Sequence, residues 1–530
     1  MTVYYSNRYK HNPYSIDEFT TYANRSELIA IGTRYTDFRQ EIRLNHYKNN
    51  LDRYQGKNDL LELKLDSSYP IYREVTSTGL PIMNTVNINL YKQVTKKWVD
   101  LLFSEDIKIE VPEEEQEQLD RIIKNSDLIN QAKYCQINTS IYGNGVYKVF
   151  WDADNNMAKI MSQLPNSWTP ITNPNNPHDV TEHIIAYTFR ELKDKTFTEK
   201  VIDYAKNILF YGENLTDQYI EYLRVEIYRP GIVENKIYRL GTISEGIGSY
   251  YGVAEELDIE DWSNGEIQAE VKTNIDENLL FTHSNDYNPN SVFGIDDYTN
   301  IIDCVDGISE STTKFLHDIK HQGNILEADQ AAKAAIEHEF SNIINGIIYR
   351  TQDQTPLSKI TWDVDSESYQ ILVNQLLDMF YLQSNLNKIL FDGDVKTGQL
   401  SGTAIRRLMA NTLSSAKERA ENQKRSLERA IKAASQLEVA QGVQGAKEIT
   451  EVNIEFKDGL IDDITEIIDN VIKKRDAGLI SFDKAVEKVS GYEEDMLEEE
   501  IKAIKTEQAN NRPGTVSDLE LPQVNIPAEQ

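Results

Sequence analysis

The stretch that most limits what this chain can fold into runs from Asp365 to Gly442, where a helix pattern, a glycine-rich break and a much longer helix pattern succeed one another. Tyr369, Leu372, Val373, Leu376, Leu377 and Phe380 recur at i, i+3, i+4, i+7, i+8 and i+11, which lays one apolar stripe along a helix. The spacing predicts a packed helix from Ser366 to about Leu390. The pattern stops at Phe391-Asp-Gly-Asp-Val-Lys-Thr-Gly-Gln-Leu400, where Gly393 and Gly398 permit positive φ and the polar residues between them favour turns. Ser401 is placed to cap a second helix. From Thr403 to Gln441 there is no glycine or proline, and Ala, Arg, Lys, Glu, Gln and Leu dominate. One helix of that length would be roughly 60 Å long, about twice what a small domain needs to cross its own core. Such a helix serves an assembly.

A chain of 530 residues exceeds what one core organises, so at least two domains are expected. Helical stretches are expected from Ser15 to Ala30 and from Tyr35 to Tyr54, in a polar, tyrosine-rich segment that reads as an outer, peripheral layer. Leu90, Val94, Trp98, Leu101 and Leu102 mark a helix that feeds a short strand ending near Glu110. A helix is expected from Glu113 to Ser140. The turn Gly143-Asn-Gly145 then opens a mainly β region, with strands at Val146 to Trp151, Ala158 to Gln163, His183 to Leu192, Leu223 to Tyr228, Asn235 to Leu240 and Leu279 to His283. Pro165-Asn-Ser-Trp-Thr-Pro170 and Asn173-Pro-Asn-Asn-Pro177 read as loops between them. Ile301, Ile302, Val305, Ile308, Phe315, Leu316 and Ile319 stripe a further helix that ends near Gly323. Between it and Ser366 lies an insert with a helix at Ala331 to Phe340 and strand-like runs at Gly346 to Arg350 and Ser358 to Asp363. Beyond Gly445 a strand-like run (Glu448 to Phe456) precedes acidic helices at Asp462 to Ala477, Ser481 to Ser490 and Tyr492 to Gln508. The proline-punctuated end from Asn510 reads as a flexible tail.

The residues assemble no catalytic set. Gly143-Asn-Gly145 precedes a strand and lacks a following Lys-Ser/Thr, so it does not read as a nucleotide cradle. Asp392-Gly-Asp394 fails as a calcium loop, since Lys396, Thr397 and Thr403 stand where ligand, glycine and glutamate are required. His317 and His321 are one helical turn apart without the carboxylate of a zinc motif. Cys135 and Cys304 are isolated, so neither a disulfide framework nor a zinc site is expected. The start carries no export signal, which leaves the acceptor-like Asn138-Thr-Ser140 without a route to glycosylation, and no apolar run is long enough to span a membrane. No cofactor is expected. With 55 basic against 86 acidic residues the net charge is −31, which opposes a broad, lasting grip on DNA phosphates.

The run Phe391-Asp-Gly-Asp, followed after six residues by Ser401-Gly402-Thr403-Ala404-Ile405 and a long basic, alanine-rich helix, resembles the tunnel loop and following helix of portal proteins from tailed double-stranded DNA bacteriophages. Similar likeness is carried by Asn87 to Ile109, by Tyr142-Gly-Asn-Gly-Val-Tyr-Lys-Val, and by Phe293-Gly-Ile-Asp-Asp-Tyr leading into a helix, in the order found in portals of long-tailed phages with Gram-positive hosts. The resemblance implies an α+β portal-like subunit. Its parts would be a wing (1–297) and a stem of two helices (298–322 and 366–390) with a clip between them (323–365). A tunnel loop (391–401), a long wing helix (402–442), a crown (443–508) and a flexible tail (509–530) would complete it. It implies a ring, usually of about twelve copies, at the capsid portal vertex of a virion assembled in the host cytoplasm. Double-stranded DNA would pass through it, with Asp392, Gly393, Asp394, Val395, Lys396, Thr397 and Gly398 at the tunnel loop. Its partners would be the terminase large subunit, major capsid and scaffolding proteins, and a head-tail adaptor. The chain would be a conduit and platform, not an enzyme. Another head-tail connector ring is the alternative, and a hydrolase a more distant one.

Overall fold

The computed structural model describes residues 38–57, 74–75, 81–82, 85–104, 107–192, 219–245, 248–321, 325–329, 347–350, 358–360, 365–391, 402–456, 464–490 and 494–510. It is a mixed α+β chain in two compact units, one comprising Met1–Gly393 with Met409–Gly459, the other Asp394–Leu408 with Leu460–Gln530. The expected helices at Ser15 to Ala30 and Ala331 to Phe340, and the tail beyond Asn510, lie outside the described residues.

The first unit opens with helix α1 (Phe38–Tyr54), which the sequence marks as peripheral because it is polar. It is not peripheral. Arg43, His46, Asn50 and Arg53 are all buried: distant parts of the chain supply hydrogen-bond partners to the first three, and Arg53 donates to Asn50 and lies over the Tyr91 ring. A two-residue strand pair comes next, β1 (Glu74–Val75) with β2 (Pro81–Ile82). Helix α2 (Leu90–Phe103) is capped by Asn89, whose side chain accepts from the Lys92 amide at 2.9 Å, and leads to strand β3 (Lys108–Glu110) as expected. The single helix expected from Glu113 to Ser140 is two, α3 (Gln116–Ser126) and α4 (Leu128–Tyr142). Asp127 joins them in the left-handed region (φ 50°, ψ 46°), a conformation a short polar side chain tolerates, with Asn130 donating to its carboxylate at 2.9 Å.

Strands β4 (Asn144–Asp152) and β5 (Met157–Ser162) come next. They are followed by an antiparallel series, β6 (Trp168–Asn173), β7 (Asn176–Leu192), β8 (Tyr219–Arg229), β9 (Ile232–Glu245) and β10 (Gly248–Leu257). A short helix α5 (Ile259–Trp262) and strand β11 (Glu270–Lys272), which pairs with β9, complete this six-stranded sheet. Besides the three-residue β11, two of its strands were hidden in the sequence: β6 falls in the stretch read as a Pro-bounded loop, and β10 carries Gly248 and Gly252. Both are edge strands, where a proline such as Pro170 removes no obligatory ladder bond and a register shift between Val253 and Glu255 is tolerated. One face of the sheet buries Ile184, Ala186, Leu223, Val225, Tyr238, Leu240 and Val253. The other packs Tyr222 and Ile237 against Ile259, with Trp262 beside them.

Strand β12 (Leu280–Ser284) pairs with β4, giving a three-stranded sheet of order β12-β4-β5. Helix α6 (Ile302–His321) leads to three short strands, β13 (Ile325–Asp329), β14 (Ile347–Arg350) and β15 (Ser358–Ile360), in which β13 is central, parallel to β14 and antiparallel to β15. Helix α7 (Ser366–Ser384) is capped by Asp365, which accepts from the Ser368 amide at 2.9 Å. It is shorter than expected, ending at Asn385 in the left-handed region (φ 56°) before a 3-10 turn over Lys388–Leu390.

The single helix expected from Thr403 to Gln441 is interrupted. Helix α8 (Gly402–Leu408) belongs to the second unit, and α9 (Ala410–Ala440) to the first. Met409 stands between them at φ −90° and ψ 5°, almost fully buried while Leu408 is exposed, so tertiary burial at one residue overrides uniform helix propensity. Helix α9 lies on the β12-β4-β5 sheet. Leu427, Ile431 and Leu437 fill the core there, and Ala430, Ala433 and Ala434 let the helix approach closely. Strand β16 (Asn453–Glu455) pairs with β3 and closes the unit; the longer strand-like run from Glu448 shrinks to these three residues.

The remaining helices of the second unit are α10 (Ile464–Asp476), α11 (Phe482–Ser490) and α12 (Glu494–Asn510). Arg475 and Lys505 approach the Phe482 ring at 4.9 and 5.7 Å, and Lys505 pairs with Asp483 at 3.0 Å.

Candidate functional site

The loop residues Asp392, Gly393, Asp394, Val395, Lys396, Thr397 and Gly398 lie outside the described residues. The elements that lead into and out of that segment are described.

Helices α6 and α7 are antiparallel neighbours. Cys304 Sγ lies 3.2 Å from Gln383 Oε1, Leu376 lies against Gly307, and the Phe315 and Tyr369 rings stack 4.0 Å apart and 3° from parallel. Packing uses the face of α7 carrying Tyr369, Val373, Leu376 and Phe380, four of the six stripe residues read from the sequence. Leu372, also of that stripe, instead stands exposed with Ile371, Met379 and Leu382, at 44%, 53%, 49% and 77%. A helical period of 3.6 puts these four on a second face, and Glu367, Gln370, Asn374 and Asp378 on a third. After α7, Phe391 is held in a ring cluster with Phe380 and Tyr381 (5.7 and 5.5 Å), immediately before the loop.

The three remaining stretches that carry the likeness, Asn87 to Ile109, Tyr142 to Val149 and Phe293 to Tyr298, meet at the root of α6. Gly143 (φ 83°) ends α4, and a Cβ on it would strike the Gly294 carbonyl. Gly143's own carbonyl accepts from the Asn285 amide at 2.8 Å. Asn144 reaches across in both directions, accepting from the Gly294 amide at 2.9 Å and donating to the Val292 carbonyl at 3.2 Å. Residues 292–296 therefore fill the space above the turn, and its glycines serve close backbone packing rather than an anion. Asp296 accepts from the Tyr298 and Thr299 amides at 2.8 and 3.0 Å and pairs with His46 of α1 at 2.8 Å. Thr95 bridges the Ser140 hydroxyl (2.8 Å) and the Tyr298 hydroxyl (2.7 Å). Arg419 of α9 stacks over Trp98 at 4.1 Å, bonds Asp297 at 2.7 Å and also donates to Asn285. Burial pushes the Tyr298 hydroxyl well above its ordinary range.

Two histidines hold this body together uncharged. His283 of β12 sits between Thr139 Oγ1 (3.2 Å) and Ser426 Oγ (2.7 Å), and burial pushes it down to about 3. His183 accepts from the Trp168 indole at 3.1 Å, and burial, helped by the Arg429 charge, pushes it down to about 4. Lys148 of β4 joins the β12-β4-β5 sheet to the six-stranded sheet by donating to Glu226 of β8 at 2.5 Å; burial raises that carboxyl, but Lys148, the Tyr228 hydroxyl and Arg224 together hold it below its ordinary value. Among the described residues no group of three or more His, Cys, Asp or Glu could hold a metal ion, and no helix is long and apolar enough to cross a membrane. Neither buried cysteine is in a disulfide.

A family model described as phage portal protein, SPP1 Gp6-like, matches residues 38–514. The chain belongs to this family of phage portal proteins. The match starts at the first residue of α1 and takes in the junction at Gly143 and Gly294, the α6–α7 hairpin, the loop and the three helices of the second unit beyond Gly459. A search of curated proteins finds no match. Sequence reasoning missed the junction's polar members in α1 and α9, His46, Asn50 and Arg419, because each looks like an ordinary exposed helix residue until its distant partner is in place.

Proposed function

We propose that this portal-family chain is the subunit of a ring of about twelve copies at one capsid vertex of a long-tailed phage of a Gram-positive host. Double-stranded DNA passes through the ring, driven by a separate ATP-consuming terminase. In this reading α6 and α7 are the stem and the strands between them belong to the clip. Residues 391–401 are the tunnel loop, 1–297 and 402–442 the wing, 443–508 the crown and 509–530 a tail. The ring retains the packaged DNA, passes it out at ejection and offers a platform to the head-tail adaptor. The terminase large subunit, major capsid protein and scaffolding protein are its other partners, met in the host cytoplasm before the ring becomes part of the virion. The chain supplies no catalysis of its own.

The surface of α7 carries the reading. One face packs on α6, the exposed apolar face of Ile371, Leu372, Met379 and Leu382 suits the same hairpin of a neighbouring copy, and the face with Glu367 and Asp378 is left for the channel. A net charge of −31 disfavours lasting phosphate contacts, so DNA slides rather than sticks. Val395, Lys396 and Thr397 approach DNA most closely, hinged at Gly393 and Gly398. Lys396, the only basic residue in a loop that also holds Asp392 and Asp394, touches phosphates only transiently.

The test is a mass measurement of the purified assembly followed by packaging in vitro with added terminase. A ring of about a dozen subunits that supports packaging is expected; a strict monomer at all concentrations and salts would sink the proposal. Lys396→Glu should leave the ring intact and alter packaging rate or DNA retention, and deletion of Asp394 to Thr397 should do more. Wild-type behaviour of both variants would remove the loop from the DNA path.

A further inference from the structure

The stretch that holds the loop and α8 is bounded by α7 and α9, and one hydroxyl joins these two helices. Asn385 ends α7 in the left-handed region, which turns its carbonyl away from the helix and leaves it in need of a donor. Two residues on, Asn387 starts the 3-10 turn, its side chain accepting from the Ile389 amide at 3.0 Å. Thr412, in the first turn of α9, places Oγ1 between these two residues, donating to the Asn385 carbonyl at 2.9 Å and accepting from the Asn387 amide at 3.0 Å. Thr412 and Leu386 are both almost fully buried. Water therefore has little access to replace either bond.

We infer that Thr412 is a positioning residue for the loop, fixing the end of α7 to the start of α9 and so setting where the intervening chain can reach. This rests on the proposed role of the chain as a DNA channel. A single hydroxyl used once as donor and once as acceptor fixes the flanks in direction as well as distance, since both bonds must be satisfied together. The apolar contacts of Phe391 with Phe380 and Tyr381 hold only the α7 side. Threonine itself has a low helix propensity, so its place in the first turn of α9 is explained by the bridge.

The test compares full-length wild type, Thr412→Val and Thr412→Ser. Valine keeps the shape and removes both bonds; serine keeps the hydroxyl. Hydrogen exchange over residues 385–391 should accelerate about tenfold in the valine variant, the order expected when one buried hydrogen bond is lost, and return to the wild-type rate in the serine variant. Packaging by assemblies of unchanged mass should show altered rate or DNA retention for valine and not for serine. Unchanged exchange in Thr412→Val overturns the inference whatever the chain's role. Faster exchange with wild-type packaging overturns its functional part. Failure of the wild-type chain to form a ring or to package is a separate result, which removes the channel reading and leaves the exchange comparison interpretable.

Discussion

Helices α7 and α9 are both long and both amphipathic in sequence, with the loop and the short α8 between them, yet they end in opposite situations. Helix α9 buries Leu427, Ile431 and Leu437 to within 2% against a sheet of its own chain, and even its Glu438 is fully enclosed. Helix α7 fully buries Phe380 and leaves Leu382 among the most exposed large apolar residues described. The contrast separates two uses of apolar surface: in α9 it builds the subunit, and in α7 a second face remains after the hairpin is formed. Exposed apolar patches of this kind mark interaction sites. Helix α9 is completed within the chain, and α7 is proposed to be completed by another copy.

The largest effect should come from Glu438. Its carboxylate accepts from Gln118 at 2.8 Å and the Ala158 amide at 3.2 Å, and Arg121 lies 3.2 Å away. Glu438→Ala strands these donors, and denaturant unfolding of the first unit should show a loss of about 3–5 kcal/mol. A loss under 1 kcal/mol would mean that α9 is not anchored as described. Gly143→Ala comes next: the new methyl group meets the Gly294 carbonyl at a positive φ, for an expected loss of about 2–4 kcal/mol by the same measurement.

Acid should loosen the α9 side of the comparison and spare α7. His283 and His183 have folded values of about 3 and about 4, below the ordinary value of 6.5. Between those limits the unfolded chain binds more protons, so stability is fully present above about pH 6.5 and falls as pH drops toward 4, on the order of 2 kcal/mol per histidine by pH 5. The check is the melting temperature from pH 7 to pH 5 in wild type and in His283→Gln, whose decline should be smaller. Parallel curves would assign the acid sensitivity to other groups.

The smallest effect on stability should be the most telling for function. Ile371→Ser with Leu382→Ser should shift unfolding by no more than about 0.5 kcal/mol, as surface changes do, while assembly mass falls sharply. A wild-type assembly would place the subunit contact elsewhere.

Part of this was legible in the residues. The strong periodic stripes predicted α2, α6 and the first turns of α7, and the glycines and polar residues after Phe391 marked a break between helices. Other features escaped. Nothing local distinguishes Asp127, where one expected helix becomes two, from the aspartates of uninterrupted helices. Pro165 and Pro170 hid β6 because a proline argues against a strand unless the strand is known to be an edge. Thr412 gave no indication of its role, since its partners lie 25 and 27 residues away.

By itself the sequence determined the α+β character, the order of the elements, the placement of a long alanine-rich helix after a glycine-rich loop, and the likeness to portals. The first three come from propensity and periodicity, which act within a few residues, and the likeness from the short motifs around Gly143, Gly294 and Gly402. Only the tertiary structure decided that α1 is buried through its polar side chains, that the helix after the loop breaks at Met409, that Gly143 and Gly294 touch, and that α7 has an apolar face left over. Each of these depends on which distant group arrives to satisfy a hydrogen bond or cover a surface, and the free energy of that meeting belongs to the pair rather than to either residue's neighbourhood.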